Sequence, residues 1–347
     1  MPARPGRLGV HLLVILVLSA LLAACSSGST TSSPSLAPTA ASSASQLAAP
    51  TSTPTSTPAP SAAAFPLTVT DDEGTVVELA AQPQKVVSLT PAATETLFAI
   101  GAGDRIVASD DASDYPDAAT ALAHVASFDK VDVEKVVALE PDLVIAGGLG
   151  GTPADAITKL RSLKIPVVVV YAGSVDGVYK DIELLGTATG TGSAATALTA
   201  SMRTDMGAVS AVATAAGPKP RVYYEIGYDD ATGAIYAPAD ESFVADMLTL
   251  AGADAITTGD PNSYQIPLET LIQKDPQLIV IGTNPFYSPS PASLESRAGW
   301  SAITAVKDRN VKSVRDIEIT RPGPRLPIGL RNLVQAIWPD LTLPPTP

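Results

Sequence analysis

The chain has one cysteine in 347 residues, Cys25, so it can form no internal disulfide and is not a disulfide scaffold. Histidine is almost as scarce, with only His11 and His124. Capture of free zinc or manganese needs several imidazoles, which makes that chemistry a poor reading. There is no Gly-x-Ser-x-Gly elbow and no cysteine beside a histidine, so nothing marks a nucleophilic enzyme. The run Gly147 to Gly151 follows a strand-like stretch but lacks the G-x-G-x-x-G spacing of a phosphate-binding turn. It reads as a tight or cleft-lining loop. Positive charge is also short, with 22 Lys and Arg against 35 Asp and Glu. That balance argues against nucleic acid and against adhesion to an anionic membrane surface.

Acidic residues are missing altogether before Asp71. Arg4 and Arg7 precede an apolar run from Leu8 to Ala24, interrupted only by His11 and Ser19 and ending in Leu22-Ala23-Ala24-Cys25. A basic start, a short apolar stretch and small residues before a cut describe a secretory signal, residues 1–25. A cysteine right after Leu-Ala-Ala has the pattern of a bacterial lipobox, in which the thiol is acylated and ties the protein to the outer face of the membrane. Residues 26–64 are almost entirely Ser, Thr, Pro and Ala, with no charge. They cannot bury enough apolar surface to offset the entropy of ordering them, and read as a semi-stiff tether.

The remainder is long enough for two lobes of ordinary size. It holds all 35 acidic residues and 20 of the 22 basic ones, leaving about -15. Apolar runs of strand length occur at Lys85–Leu89, Leu143–Ala146, Val167–Tyr171, Arg221–Glu225 and Leu278–Gly282. Runs of this kind suit strands covered on both faces, as in parallel sheets flanked by helices. Helical patterns lie between them at Ala92–Ile100, Val133–Leu139 and Asp240–Ala251, and Thr90-Pro91 fits an N-cap followed by a first-turn proline. Such alternation means α/β layering. Ser193–Ala216 contains no proline and stops at Gly217-Pro218, which predicts one long helix joining two halves. The expected divisions are an N-terminal lobe over 65–190, a bridging helix over 191–217 and a C-terminal lobe over 218–347.

The halves repeat each other. Glu134-Lys-Val-Val-Ala-Leu-Glu-Pro-Asp-Leu-Val-Ile145 aligns with Glu269-Thr-Leu-Ile-Gln-Lys-Asp-Pro-Gln-Leu-Ile-Val280. Upstream of each is a helix-end phrase, Ile100-Gly-Ala-Gly-Asp-Arg-Ile106 and Leu250-Ala-Gly-Ala-Asp-Ala-Ile256. Two similar lobes joined by one helix enclose a cleft, and such interfaces are where small-molecule sites form.

Further phrases accompany the repeat: Val87-Ser-Leu-Thr-Pro-Ala-Ala-Thr-Glu-Thr-Leu-Phe-Ala-Ile-Gly101, Ser113-Asp-Tyr-Pro116, Gly299-Trp300 and Arg321-Pro-Gly-Pro-Arg325. In this order, behind a lipobox, residues 85–347 resemble the cobalamin and ferric-siderophore class of ABC substrate-binding proteins. The resemblance implies an α/β fold of two Rossmann-like lobes joined by a single long helix, with the ligand cleft between them and only a small closure on binding. It implies a monomer with no cofactor and no catalytic turnover. Its partners would be a corrinoid or ferric siderophore and an ABC permease dimer with its ATPase. A haem-binding member of the class, a ligand-presenting sensor and a lipid-anchored α/β enzyme are the alternatives.

The resemblance also assigns residues. Glu134 and Glu269 match the glutamates that dock each lobe onto permease arginines. Two carboxylates on two lobe tips would set register against a basic dimer, whereas a first-turn glutamate can simply complement its helix dipole. Cleft candidates are Tyr115, Phe128, Gly147 and Gly148 on the first lobe and Tyr228, Tyr236, Tyr264, Phe286 and Tyr287 on the second. Arg321 and Arg325 would meet an anionic chelate or corrin side groups, or hold the C-terminal turn. Phe128 stands where the best-known cobalamin binders carry Trp, and Gly147 replaces another, which leaves siderophore and haem open. The acidic clusters Asp71-Asp72-Glu73 and Asp110-Asp111 are expected to be solvated loops.

Overall fold

The computed structural model describes residues 64–127, 129–148, 151–285 and 287–346. Cys25, the signal segment and the tether up to residue 63 lie outside the described residues, as do Phe128 and Phe286.

The N-terminal lobe begins with an antiparallel hairpin of β1 (Leu67–Thr70) and β2 (Val76–Leu79). Then follow β3 (Val86–Ser88), α1 (Pro91–Ala99), β4 (Ile106–Asp110), β5 (Ala123–Ser127), β6 (Lys130–Val131), α2 (Val133–Ala138) and β7 (Leu143–Gly147). α3 (Ala154–Ser162), β8 (Val167–Val170) and α4 (Val175–Thr189) complete it. Its sheet has the order β6-β5-β4-β3-β7-β8, parallel except for the short β5–β6 pair.

A single helix of 24 residues, α5 (Gly192–Ala215), leads to the second lobe. Its alanine-rich, proline-free sequence favours an uninterrupted helix. Residues Ala195, Thr199, Met202, Met206, Val209 and Ala213 recur at helical spacing and are buried along one stripe. Gly186 of α4 lets the two helices touch, since a Cβ there would lie 2.4 Å from that of Ala195.

The C-terminal lobe contains β9 (Arg221–Glu225), β10 (Gly227–Tyr228), β11 (Ile235–Tyr236), α6 (Phe243–Leu250), β12 (Asp254–Ile256), α7 (Leu268–Lys274) and β13 (Leu278–Thr283). It ends with α8 (Pro291–Glu295), α9 (Thr304–Lys307), β14 (Val311–Arg315), α10 (Ile317–Thr320) and α11 (Leu326–Ile337). Its sheet runs β12-β9-β13-β14, all parallel. This repeats the order β4-β3-β7-β8 of the first lobe, and the aligned repeat falls on α2–β7 and α7–β13.

The continuous apolar strands feed two faces, because successive side chains point to opposite sides of a sheet. Leu143 and Ile145 of β7 and Leu278 and Val280 of β13 enter one core shared by both lobes. That core runs through Met202, Met206 and Val209 of α5 to Leu330 and Leu333 of α11. The alternate residues Val144 and Ala146 pack in a core of the first lobe, and Ile279 and Ile281 in one of the second. Arg331 of α11 is ion-paired to the buried Asp205 of α5, which fixes the second lobe along the bridge.

Three local expectations change. Thr90 precedes α1 in extended conformation, but its side chain accepts no capping hydrogen bond and instead lines the space between the lobes. Asp71 is not solvated: its carboxylate is buried against the Arg161 guanidinium at 2.7 Å and accepts from the Thr75 N–H at 2.7 Å. Asp110 is likewise buried, accepting from the Ser113 hydroxyl at 2.6 Å and the Ala112 N–H at 2.9 Å. Both sit at strand ends, where folded neighbours replace water. Burial pushes the Asp110 carboxyl above the ordinary range, although these two hydrogen bonds oppose it.

Candidate ligand-binding cleft

In parallel α/β sheets, loops at the carboxyl ends of the strands form the ligand crevice. Here Thr90 after β3, Gly147-Gly148 ending β7 and Val170-Tyr171 ending β8 face Phe243, Tyr264 and Pro322 of the other lobe. They enclose a cavity of about 170 Å³, with Asp181 and Leu185 of α4 in its wall. Gly148 is required by close approach: a Cβ there would lie 2.9 Å from the Tyr171 Cβ. Tyr171 and Tyr264, one from each lobe, are 39 % and 42 % exposed. Burial and then the neighbouring Tyr171 hold the Tyr264 hydroxyl above the usual phenol range.

A second interlobe cavity of about 480 Å³ lies beside Arg321, the residue before Pro322. Asp111, Ala112 and Asp114 line it from the first lobe, and Asn284, Pro285, Asp316 and Thr320 from the second. The segment carrying Arg321 and Pro322 therefore separates two chambers.

Both arginines of this segment are occupied by the protein itself. Arg325 donates to Glu95 of α1 through Nε at 2.8 Å and Nη2 at 2.6 Å. Arg321 donates to the same carboxylate at 3.0 Å, to Asp114 at 2.6 Å and to the Ala112 carbonyl at 3.1 Å. Arg325 also lies 4.4 Å from the centre of the Tyr115 ring and 3.3 Å from Glu318. Charge-assisted bonds of this kind, most of them between lobes, hold the edge of the cleft together.

The remaining candidates are dispersed. Gly147, Gly148 and Tyr264 line the smaller interlobe chamber, and Arg321 the larger. Tyr115 is half exposed above Arg325. Tyr228 and Tyr287 line a separate cavity of about 390 Å³ built by the second lobe alone. There the Tyr287 hydroxyl donates to Glu225, which is ion-paired with Arg297, and the Arg297 guanidinium lies 3.8 Å over the Tyr228 ring. Burial and the Glu225 carboxylate hold the Tyr287 hydroxyl well above the usual phenol range. Tyr236 is joined to Gln265 through an isolated bridge, and its hydroxyl accepts from Gln265 Nε2 at 3.3 Å. Glu134 and Glu269 are exposed in the first turns of α2 and α7, the corresponding helices of the two lobes.

Sequence reasoning missed Glu95, Asp181 and Tyr171. The first two carried a signal, since each is an acid placed on the apolar face of a helix. Asp181 follows Val178 and precedes Ile182 and Leu185, all buried.

Two parallel α/β lobes, one bridging helix and a cleft at the strand ends define a two-lobed solute-binding protein. The chain belongs to the periplasmic binding protein family, whose profile it matches over residues 86–317. It is 33% identical over 280 residues to YvrC, an uncharacterized ABC transporter substrate-binding lipoprotein of Bacillus subtilis (strain 168), covering 80% of this chain and 87% of that one. It is 31% identical over 290 residues to a cobalamin-binding protein of Halobacterium salinarum, covering 80% of this chain and 76% of the other. Among solved structures, a periplasmic heme binding protein from Pseudomonas aeruginosa superposes with a TM-score of 0.64 at 25% identity, covering 76% of this chain and 96% of that one.

Proposed function

We propose that this protein is the extracytoplasmic, lipid-anchored binding component of an ABC importer, carrying a corrinoid or a ferric siderophore to a permease dimer and its ATPase. The observation that carries the reading is the interlobe cleft at the carboxyl ends of both sheets, in a chain of this family. The names of its relatives, a transporter lipoprotein and a cobalamin-binding protein, support it.

The charge of the cleft narrows the cargo. Asp111 and Asp316 line it together with the carboxyl of Asp181, while Arg321 and Arg325 are neutralised by Glu95 and Asp114. A neutral or cationic chelate with hydrogen-bond donors on its rim suits such walls better than haem with two free propionates. The smaller chamber, at about 170 Å³, is below the roughly 300–1,000 Å³ of sites for drug-sized ligands. The larger chamber, at about 480 Å³, lies within that range. Among the described residues Glu134 and Glu269 make no ion pair, as docking carboxylates for a basic permease would not.

The test is a titration of the purified protein followed by tryptophan fluorescence. Trp300 is buried 5.9 Å from the Tyr228 ring, and Trp338 donates from its indole N–H to the Ala251 carbonyl at 3.0 Å. Cobalamin, cobinamide, haem and a panel of ferric siderophores are added, with correction for ligand absorption. Saturable one-to-one binding of a corrinoid or ferric siderophore is expected. Preference for haem would reassign the cargo, and no binding across the panel would sink the chelate reading.

A further inference from the structure

Asp181 has no place in the ion-pair network. It is 8 % exposed, on the face of α4 that walls the smaller interlobe chamber. Among the described residues its carboxyl meets no N–H donor and no cation. Its one polar partner is the carboxyl of Asp72, from the turn between β1 and β2. Asp72 is itself held in place by the Tyr171 N–H, which donates to its carboxylate, while its own N–H donates to the Val169 carbonyl at 3.1 Å. A buried acid facing a cavity with only another acid beside it is costly to ionise. Burial first, and Asp72 second, push the Asp181 carboxyl up to about 8. Near neutral pH the Asp181 carboxyl is therefore largely protonated.

The charged groups on the neighbouring elements are engaged elsewhere. Glu95 of α1 holds Arg321 and Arg325, Arg203 of α5 holds Asp176, and Asp246 of α6 accepts from the Val175 N–H. The phenols of Tyr171 and Tyr264 face the same chamber. The chamber thus offers aromatic walls and one buried carboxyl that, among the described residues, has no cation beside it.

We propose that Asp181, with the exposed Asp72 behind it, forms a subsite for a primary ammonium group on an arm of the ligand. This rests on the cleft being the ligand site, and it names the chemistry of one end of that ligand. A chamber of about 170 Å³ takes an alkylammonium arm, leaving the bulk of the chelate to the wider space beside it. On entry the ammonium N–H groups donate to the Asp181 carboxyl, which ionises, and its proton passes to solvent. Tyr171 and Tyr264, which line the same chamber, border the arm.

The test uses n-butylammonium as probe, with n-butanol and n-butyrate as neutral and anionic controls of the same length. Binding to the whole protein is followed by NMR or by thermal shift at pH 6, 7 and 8. Butylammonium is expected to bind at millimolar concentration, to bind about fiftyfold more tightly at pH 8 than at pH 6, and to release a proton measurable in weak buffer. Asp181→Asn, close in shape to the neutral acid, should weaken it tenfold or more, and Asp72→Asn should weaken it less. Equal binding of butanol, no binding of butylammonium, or undiminished binding to Asp181→Asn would overturn the subsite. Chelate binding that survives such a result would leave the cleft reading intact, whereas failure of the chelate panel itself would remove that reading.

Discussion

Arg325 of the C-terminal lobe grips Glu95 of the N-terminal lobe through two N–H···O bonds of 2.8 and 2.6 Å, with 8% and 2% of their side-chain surface exposed. Glu95 also receives Arg321, so one carboxylate is shared by two guanidinium groups. Removing one partner of a buried pair leaves an uncompensated charge and costs about 3–5 kcal/mol. Glu95→Ala is therefore expected to lower thermal stability by several degrees, and Glu95→Gln by less, because it keeps an acceptor. Calorimetry of both variants checks this, and unchanged melting of Glu95→Ala would show that the clasp contributes little.

A second buried pair makes a contrasting prediction. Arg297 meets Glu225, whose side chain is fully buried, and Tyr287 adds a hydroxyl donor. Arg297→Ala should destabilise by about 3–5 kcal/mol because Glu225 stays charged and buried. Adding Glu225→Gln should restore part of that loss, since the stranded charge is then gone. A double variant as unstable as the single, measured by denaturant unfolding, would mean that lost packing on Tyr228 and Trp300 matters more than charge.

Asp181 gives the protein a pH dependence of defined sign. Its carboxyl is raised from 3.8 to about 8, by burial and then by Asp72. The folded chain therefore holds a proton that the unfolded chain releases, and stability falls as pH rises from about 4 through 8. Thermal midpoints should decline between pH 6 and pH 9 in the ligand-free protein. Asp181→Asn should flatten that decline and be at least as stable as the parent at pH 9. An identical slope in the variant would assign the effect to other groups.

The exposed glutamates make the opposite kind of prediction. Glu134→Lys with Glu269→Lys changes no buried contact and should leave ligand affinity and melting unchanged, while uptake in cells is abolished. Surviving uptake would remove their docking role.

Much of the fold could be read because the core strands are covered on both faces. Leu278 to Gly282 has one continuous apolar face for each of two cores, so it announces a strand in a layered sheet without any neighbour being known. The bridge was legible in α5 for the same local reason. Its helix propensity is uninterrupted until Gly217-Pro218. The site was less legible, because charge partnerships depend on residues far apart in the chain. Arg321 and Arg325 look like ligand anchors in isolation, and only folding brings Glu95 to them from more than two hundred residues away. Asp71 looked solvated for the same reason, since its partner Arg161 comes from another helix. Acids on the apolar faces of α1 and α4 were the available warning.

The core shared along α5 also limits what a receptor can sense. Met202, Met206 and Val209 are packed with side chains of both lobes, so swinging the lobes widely apart would wet that seam. Loaded and empty molecules must then present nearly the same silhouette. A membrane partner that tells them apart has to read the rim, where side chains at the mouth change posture, and any discrimination between the two forms is worth only what a few surface contacts can supply.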